Sequence, residues 1–145
     1  MEEELIKKTE TGWEIKYGGL TRTIPYRPTM ETLKSILLAI ENSKIDQEIL
    51  EGYVWKGMEV WLSSENQFNY KAAYDLAVQT YGASLPVTFK FGTSADPKYH
   101  TFTDLEELTD FYTGALKYVN DTLGRGWIRK DSIDWEAYRE ALEKL

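Results

Sequence analysis

Residues 53–77 read YVWKGMEVWLSSENQFNYKAAYDLA, and the way this stretch divides decides the fold. Tyr53, Trp55, Met58 and Val60 fall on one side of an alternating pattern that is interrupted only by Lys56 and Gly57. A two-residue turn at that point makes the first part a β-hairpin. Val54 and Trp61 make the opposite side apolar as well, which predicts strands interior to a sheet or covered on both faces. From Glu65 to Tyr81 the apolar period becomes that of a helix. Phe68, Ala72 and Leu76 form one stripe, and Tyr70, Tyr74, Ala77 and Tyr81 form another, so the helix is expected to be deeply buried or to bridge two partners. Between strand and helix, Ser63, Ser64, Glu65, Asn66 and Gln67 make a polar hinge. Ser64 and Gln67 have the spacing of a capping box, in which the serine oxygen takes a free helix amide and the glutamine reaches back to the amide of the cap. A serine nucleophile at such an elbow would want flanking glycines and a base, so the start of a helix is the favoured reading.

The alternation of hairpin and helix recurs on both sides. Upstream, WEIKYGGLTRTI (residues 13–24) is a hairpin turning at Gly18 and Gly19. Its register sets Trp13 opposite Ile24, Tyr17 opposite Leu20 and Arg22 opposite Ile15. Past Pro25 and Pro28, Thr29 is placed to cap a helix carrying Met30, Leu33, Leu37 and Ile40, with Asn42 and Ser43 as its expected end. A separate helical turn then precedes Gly52. Downstream, Val87, Phe89 and Phe91 alternate, a polar loop follows, and residues 99–102 return as a strand. Leu105, Leu108, Tyr112, Ala115, Val119 and Leu123 define a long helix with Thr103 and Glu106 as its capping box. Gly124 and Gly126 are its expected end, and Gly114 a point of close approach. Asp134 is placed to cap a last helix, with Ile133 and Tyr138 as a hydrophobic staple. These elements predict an α+β protein of antiparallel hairpins packed with three to four helices. One domain is expected, in which residues 1–51 form a hairpin and helix packed onto residues 52–145.

Composition excludes several functions. The 145 residues carry a net charge of -7, which repels a phosphate backbone, so no nucleic-acid partner is expected. Without cysteine there is no disulfide, thiolate nucleophile or cysteine-held metal. The first thirteen residues are acidic and lack an apolar export segment, and no apolar run nears the ~20 residues of a membrane span. The expected location is the cytoplasm of the producing cell, away from any membrane. The glycine-rich phosphate cradles are missing. His100 is the single histidine, and with Glu106 and Asp110 it forms the candidate catalytic set, Glu107 adjoining them. These spacings match no metal-ligand motif, and a first helical turn attracts acidic residues in any case, so a structural histidine and a solvated acidic face are preferred. No metal and no cofactor are expected. Aromatic residues reach 14%, with 10 Tyr and 5 Trp, which suits both a compact core and an interface. Tyr26, Trp127, Trp135 and Tyr138 sit near expected loops and are the candidates for partner binding.

The succession VWLSSENQFNYKAAYDLA, LPVTFKFG, YHTFTDLEELTDFY and GWIRKDSIDWEAY, from about Gly52 to Tyr138, resembles a domain-of-unknown-function family. That family occurs in bacteria, phages and prophages, often beside phage tail genes. The resemblance implies a setting and carries no catalytic signature, and residues 1–51 lie outside it. The expectation is a non-catalytic structural or assembly accessory, cytoplasmic or virion-associated, that contacts a protein partner or itself. The alternative is a small hydrolase or carbohydrate-binding module using His100 with an acidic residue, Glu106, Glu107 or Asp110, beside an aromatic-lined cleft.

Overall fold

The computed structural model describes residues 4–145. Three small antiparallel sheets and four helices are present among them, and the protein is α+β. The chain forms two compact units, one of residues up to Ser43 together with Trp127–Leu145, the other Lys44–Gly126. The division therefore falls at Ser43 and Gly126 and not at residue 51.

In the first unit, β1 (Ile6–Thr9), β2 (Gly12–Tyr17) and β3 (Leu20–Ile24) form a three-stranded sheet in that order. The β2–β3 register is the one its turn dictates, with Trp13 opposite Ile24, Tyr17 opposite Leu20 and Arg22 opposite Ile15. β1 was not expected, because IKKT offers one apolar residue and no alternation. It is held by Ile6, which pairs with Ile15 and is buried with it. Leu33 and Leu37 of α1 (Met30–Glu51) cover this sheet together with Ile133 and Tyr138. Asp134 caps α4 (Trp135–Glu143) by accepting the Ala137 N–H, and the Ile133–Tyr138 staple is buried as its spacing requires.

One polar group interrupts the apolar face of α1. Glu41 is 2% exposed and accepts from Tyr17 Oη at 2.7 Å and from Arg129 Nε at 2.8 Å. Burial, then the Glu41 hydrogen bond, raises the Tyr17 phenol to about 12. A buried carboxylate requires such partners, since a charge left alone in the interior costs several kcal/mol.

The second unit is built on an aromatic core. β4 (Tyr53–Trp55) and β5 (Met58–Val60) form one hairpin, and β6 (Val87–Gly92) and β7 (Pro97–Phe102) form another. Trp55, Phe91 and Phe102 from these strands meet Tyr70 of α2 (Ser64–Gln79) and Phe111 of α3 (Leu105–Asp131). The ring centroid of Phe111 lies 5.3 Å from that of Trp55, 5.0 Å from Tyr70, 5.1 Å from Phe91 and 5.4 Å from Phe102.

Several boundaries depart from expectation. α1 runs unbroken through Asn42 and Ser43, because both are exposed positions and Ile45 and Ile49 continue the apolar side beyond them. Without a glycine or proline nothing stops the helix there. α3 likewise runs through Gly124 and Gly126 to Asp131. Gly126 is a contact point: a Cβ there would lie 2.2 Å from Ile45 Cδ1. Gly114 is another, since a Cβ there would lie 2.5 Å from the Tyr53 hydroxyl. Asp104, not Thr103, accepts the first free amide of α3, from Glu107 at 2.8 Å. The β4–β5 hairpin is covered on one face alone, since Val54 and Trp61 are about half exposed.

Candidate functional site

The polar hinge resolves into a helix start displaced by one residue from the capping box. Ser63 is extended, with φ -62° and ψ 158°, and its Oγ accepts the Asn66 N–H at 3.1 Å. Ser64 is the first helical residue. Gln67 donates to the Leu62 carbonyl at 2.8 Å instead of reaching back to the cap. The hinge is thus occupied by the backbone bonds that launch α2.

His100 does not lie alone. The two-residue turn between β4 and β5 presents Lys56, β7 presents His100, and the first turn of α3 presents Glu107 between them. Lys56 Nζ donates to Glu107 Oε2 at 3.0 Å, and His100 Nε2 lies 2.7 Å from Glu107 Oε1. An ionised carboxylate only accepts, so Nε2 carries the proton of this bond. The hydrogen bond from His100, then that from Lys56, holds the Glu107 carboxyl below its ordinary value. Beneath them the Trp55 ring takes His100 edge-on at 5.0 Å and Lys56 over its face at 4.8 Å. Its indole Nε1 donates to Asp110 Oδ2 at 3.1 Å. Lys56 takes the left-handed conformation, φ 48°, that this turn imposes on a residue with a side chain.

Of the expected catalytic set, then, His100 and Asp110 share one constellation through Trp55, while Glu106 is exposed and outside it. Glu107 takes the central place. The spacing of the acids put Glu106 and Asp110 on one helix face, but the strand supplying His100 approaches the face that carries Glu107. Chemically the group has an imidazole and an orienting carboxylate, the first two parts of a nucleophile-activating relay. Among the described residues, the side-chain hydrogen bond of His100 is the one to Glu107. Every polar member instead ties the tip of one hairpin and an edge of the other to α3. A cavity of about 640 Å³ opens elsewhere, lined by Glu51, Glu59, Trp61, Asn66 and Lys90 among others, and neither His100 nor Glu107 lines it. Among the described residues, no group of three His, Asp or Glu side chains is arranged to hold a metal.

The aromatic candidates separate by burial. Tyr26 and Trp127 are more than half exposed, and Trp127 is helical, not in a loop. Trp135 is half-buried and packs against the first core. Tyr138 is 4% exposed and donates to the Lys16 carbonyl, so it is a core residue and presents no binding surface.

The largest apolar side chain exposed on α2 belongs to a helix whose two stripes predict deep burial or a bridge between two partners. Phe68 is 70% exposed, and Leu76 on the same stripe 52%. Beside Phe68, a groove of about 170 Å³ runs between α2 and α3, lined by Leu62, Tyr112, Ala115, Leu116 and Val119. Leu116, on its far rim, is exposed as well. Compared with known proteins, the chain matches no family model, no curated sequence and no solved structure. Fold and site together define an α+β scaffold with an ionic tie over an aromatic core and an unpartnered apolar helical face.

Proposed function

We propose that this protein is a non-catalytic structural or assembly accessory that works through protein contacts, in a phage or prophage tail setting. The observation that carries this reading is the α2–α3 groove with Phe68 and Leu116 standing exposed on its rims. Exposed apolar side chains gathered around a groove are characteristic of a docking site for another protein. The net charge of -7 favours a protein over a nucleic acid as the partner. No helix among the described residues is long and apolar enough to cross a membrane. The tail setting, and with it the cytoplasm of the producing bacterium or the virion as location, is supported by the sequence resemblance alone. A photo-crosslinking amino acid placed at Phe68, Leu116 or Tyr99 in phage-producing cells tests the reading. Adducts with a protein partner from the first two positions and none from Tyr99, which is exposed on β7, are expected. Equal labelling from all three would contradict it.

A second reading is favoured by one observation, the 2.7 Å contact of His100 with Glu107. It makes the protein a small hydrolase or carbohydrate-binding module in which a base and its orienter are already assembled. Turnover of an ester or glycoside panel that His100→Gln abolishes would establish it. Absence of turnover in the wild-type protein would leave the ionic group as a structural tie.

A further inference from the structure

The exposed stripe of α2 has a self-complementary layout. Phe68, Ala72 and Leu76 follow one another at helical spacing, and all three are exposed. Ala72, the smallest, is in the middle, with Phe68 and Leu76 about 6 Å along the axis on either side. Lys71 and Asp75 lie together on one flank of the stripe, joined by an ion pair of 2.6 Å.

We propose that a second copy of this chain docks on this stripe, its α2 antiparallel to the first about a two-fold axis at Ala72. The proposal rests on the reading of this face as protein-binding and commits it to one occupant. An isologous contact requires one patch to complement itself under a two-fold rotation. With Ala72 on the axis, Phe68 of each copy meets Leu76 of the other, and Ala72 faces Ala72, which lets the helices approach closely. The same rotation sets Lys71 of one copy within a turn of Asp75 of the second copy, and brings Glu65 opposite Gln79. A parallel two-fold would instead carry the Lys71–Asp75 pairs of the two copies to opposite flanks of the contact, out of reach of each other. The cross-copy attraction of Lys71 and Asp75 is thus available to the antiparallel arrangement and not to the parallel one. Leu116 extends the apolar surface from α2 onto α3 and gives the second copy a wider seat.

Sedimentation equilibrium of the full chain tests this, with circular dichroism as a check of folding. The wild type should dimerise at micromolar to millimolar concentration, and Phe68→Asp should be monomeric. Lys71→Asp or Asp75→Lys alone should weaken the dimer about tenfold or more, which is ~1.4 kcal/mol. The double swap should restore it. Should Phe68→Asp fail to fold, Ala72→Glu, at an exposed helical position, serves the same purpose. A wild type that stays monomeric, or a double swap that restores nothing, overturns the two-fold docking. If Phe68 and Leu116 then still cross-link to a different protein, the accessory function stands without it, whereas loss of both observations removes both.

Discussion

The Ser63 hydroxyl satisfies one of the four amides that an α-helix leaves free at its start. Replacing it with alanine should cost ~1 kcal/mol of stability, while Ser64→Ala, one residue into the helix, should stay within about 0.5 kcal/mol. Chemical denaturation of the two variants checks this, and the reverse order would return the cap to Ser64. Glu107 makes a second prediction at this scale. Its carboxyl is held below the ordinary value, so the folded state binds that proton less readily than the unfolded chain. Its stabilisation is therefore complete above the ordinary carboxylate value and is lost as the pH falls through the depressed one. Glu107→Gln should be less stable at neutral pH and should lose less stability on acidification than the wild type, as pH-dependent denaturation would show. The identity of the cap was one residue beyond what the sequence could decide. Two adjacent serines offer the same oxygen, and the choice between them depends on where the strand ends.

At the scale of elements, Gly126 distinguishes packing from propensity. Alanine in a helix interior is intrinsically favoured over glycine by about 1 kcal/mol. A Cβ at Gly126 would nevertheless lie 2.2 Å from Ile45 Cδ1, so Gly126→Ala should destabilise by about 1–3 kcal/mol. Thermal denaturation gives the sign directly, and a stabilised variant would mean that Ile45 yields freely. The hairpins were legible because a two-residue turn fixes every pair beyond it: Gly18–Gly19 sets Trp13 on Ile24, and Lys56–Gly57 sets Tyr53 on Val60. The helix ends were not. Asn42, Ser43, Gly124 and Gly126 all carry the chemistry of stops, yet α1 is carried past Asn42 and Ser43 by the apolar contacts of Ile45 and Ile49, and α3 runs on past Gly124 to seat Gly126 against Ile45. α2 shows the same limit, since two apolar stripes were visible but the one that meets Phe89 and Phe111 is that of Tyr70. The stripe left over is the exposed one.

For the whole molecule, three tyrosines with raised phenols predict a loss of stability at alkaline pH. Burial raises the phenols of Tyr17, Tyr53 and Tyr70 to about 12, from an ordinary value of 10.0. The folded state keeps these protons where the unfolded chain releases them, so stability is full below pH 10 and falls as the pH rises toward 12. Phenolate absorbance near its alkaline maximum should lag behind that of the denatured chain across this interval and then rise together with unfolding. Early titration of these groups in the native state would show the cores to be open to water. Of the site, the sequence offered His100 with Glu106, Glu107 or Asp110, but neither the choice of Glu107 among them nor the approach of Lys56. Such a meeting is made by three segments whose approach no spacing encodes. The account places function on the α2–α3 face and assigns the ionic group to architecture. Its most direct test is co-purification of partner proteins, a differently tagged second copy included, with wild type, Phe68→Asp and His100→Gln side by side. Loss of partners from Phe68→Asp and their retention by His100→Gln is the predicted result; loss from His100→Gln with retention by Phe68→Asp would contradict it.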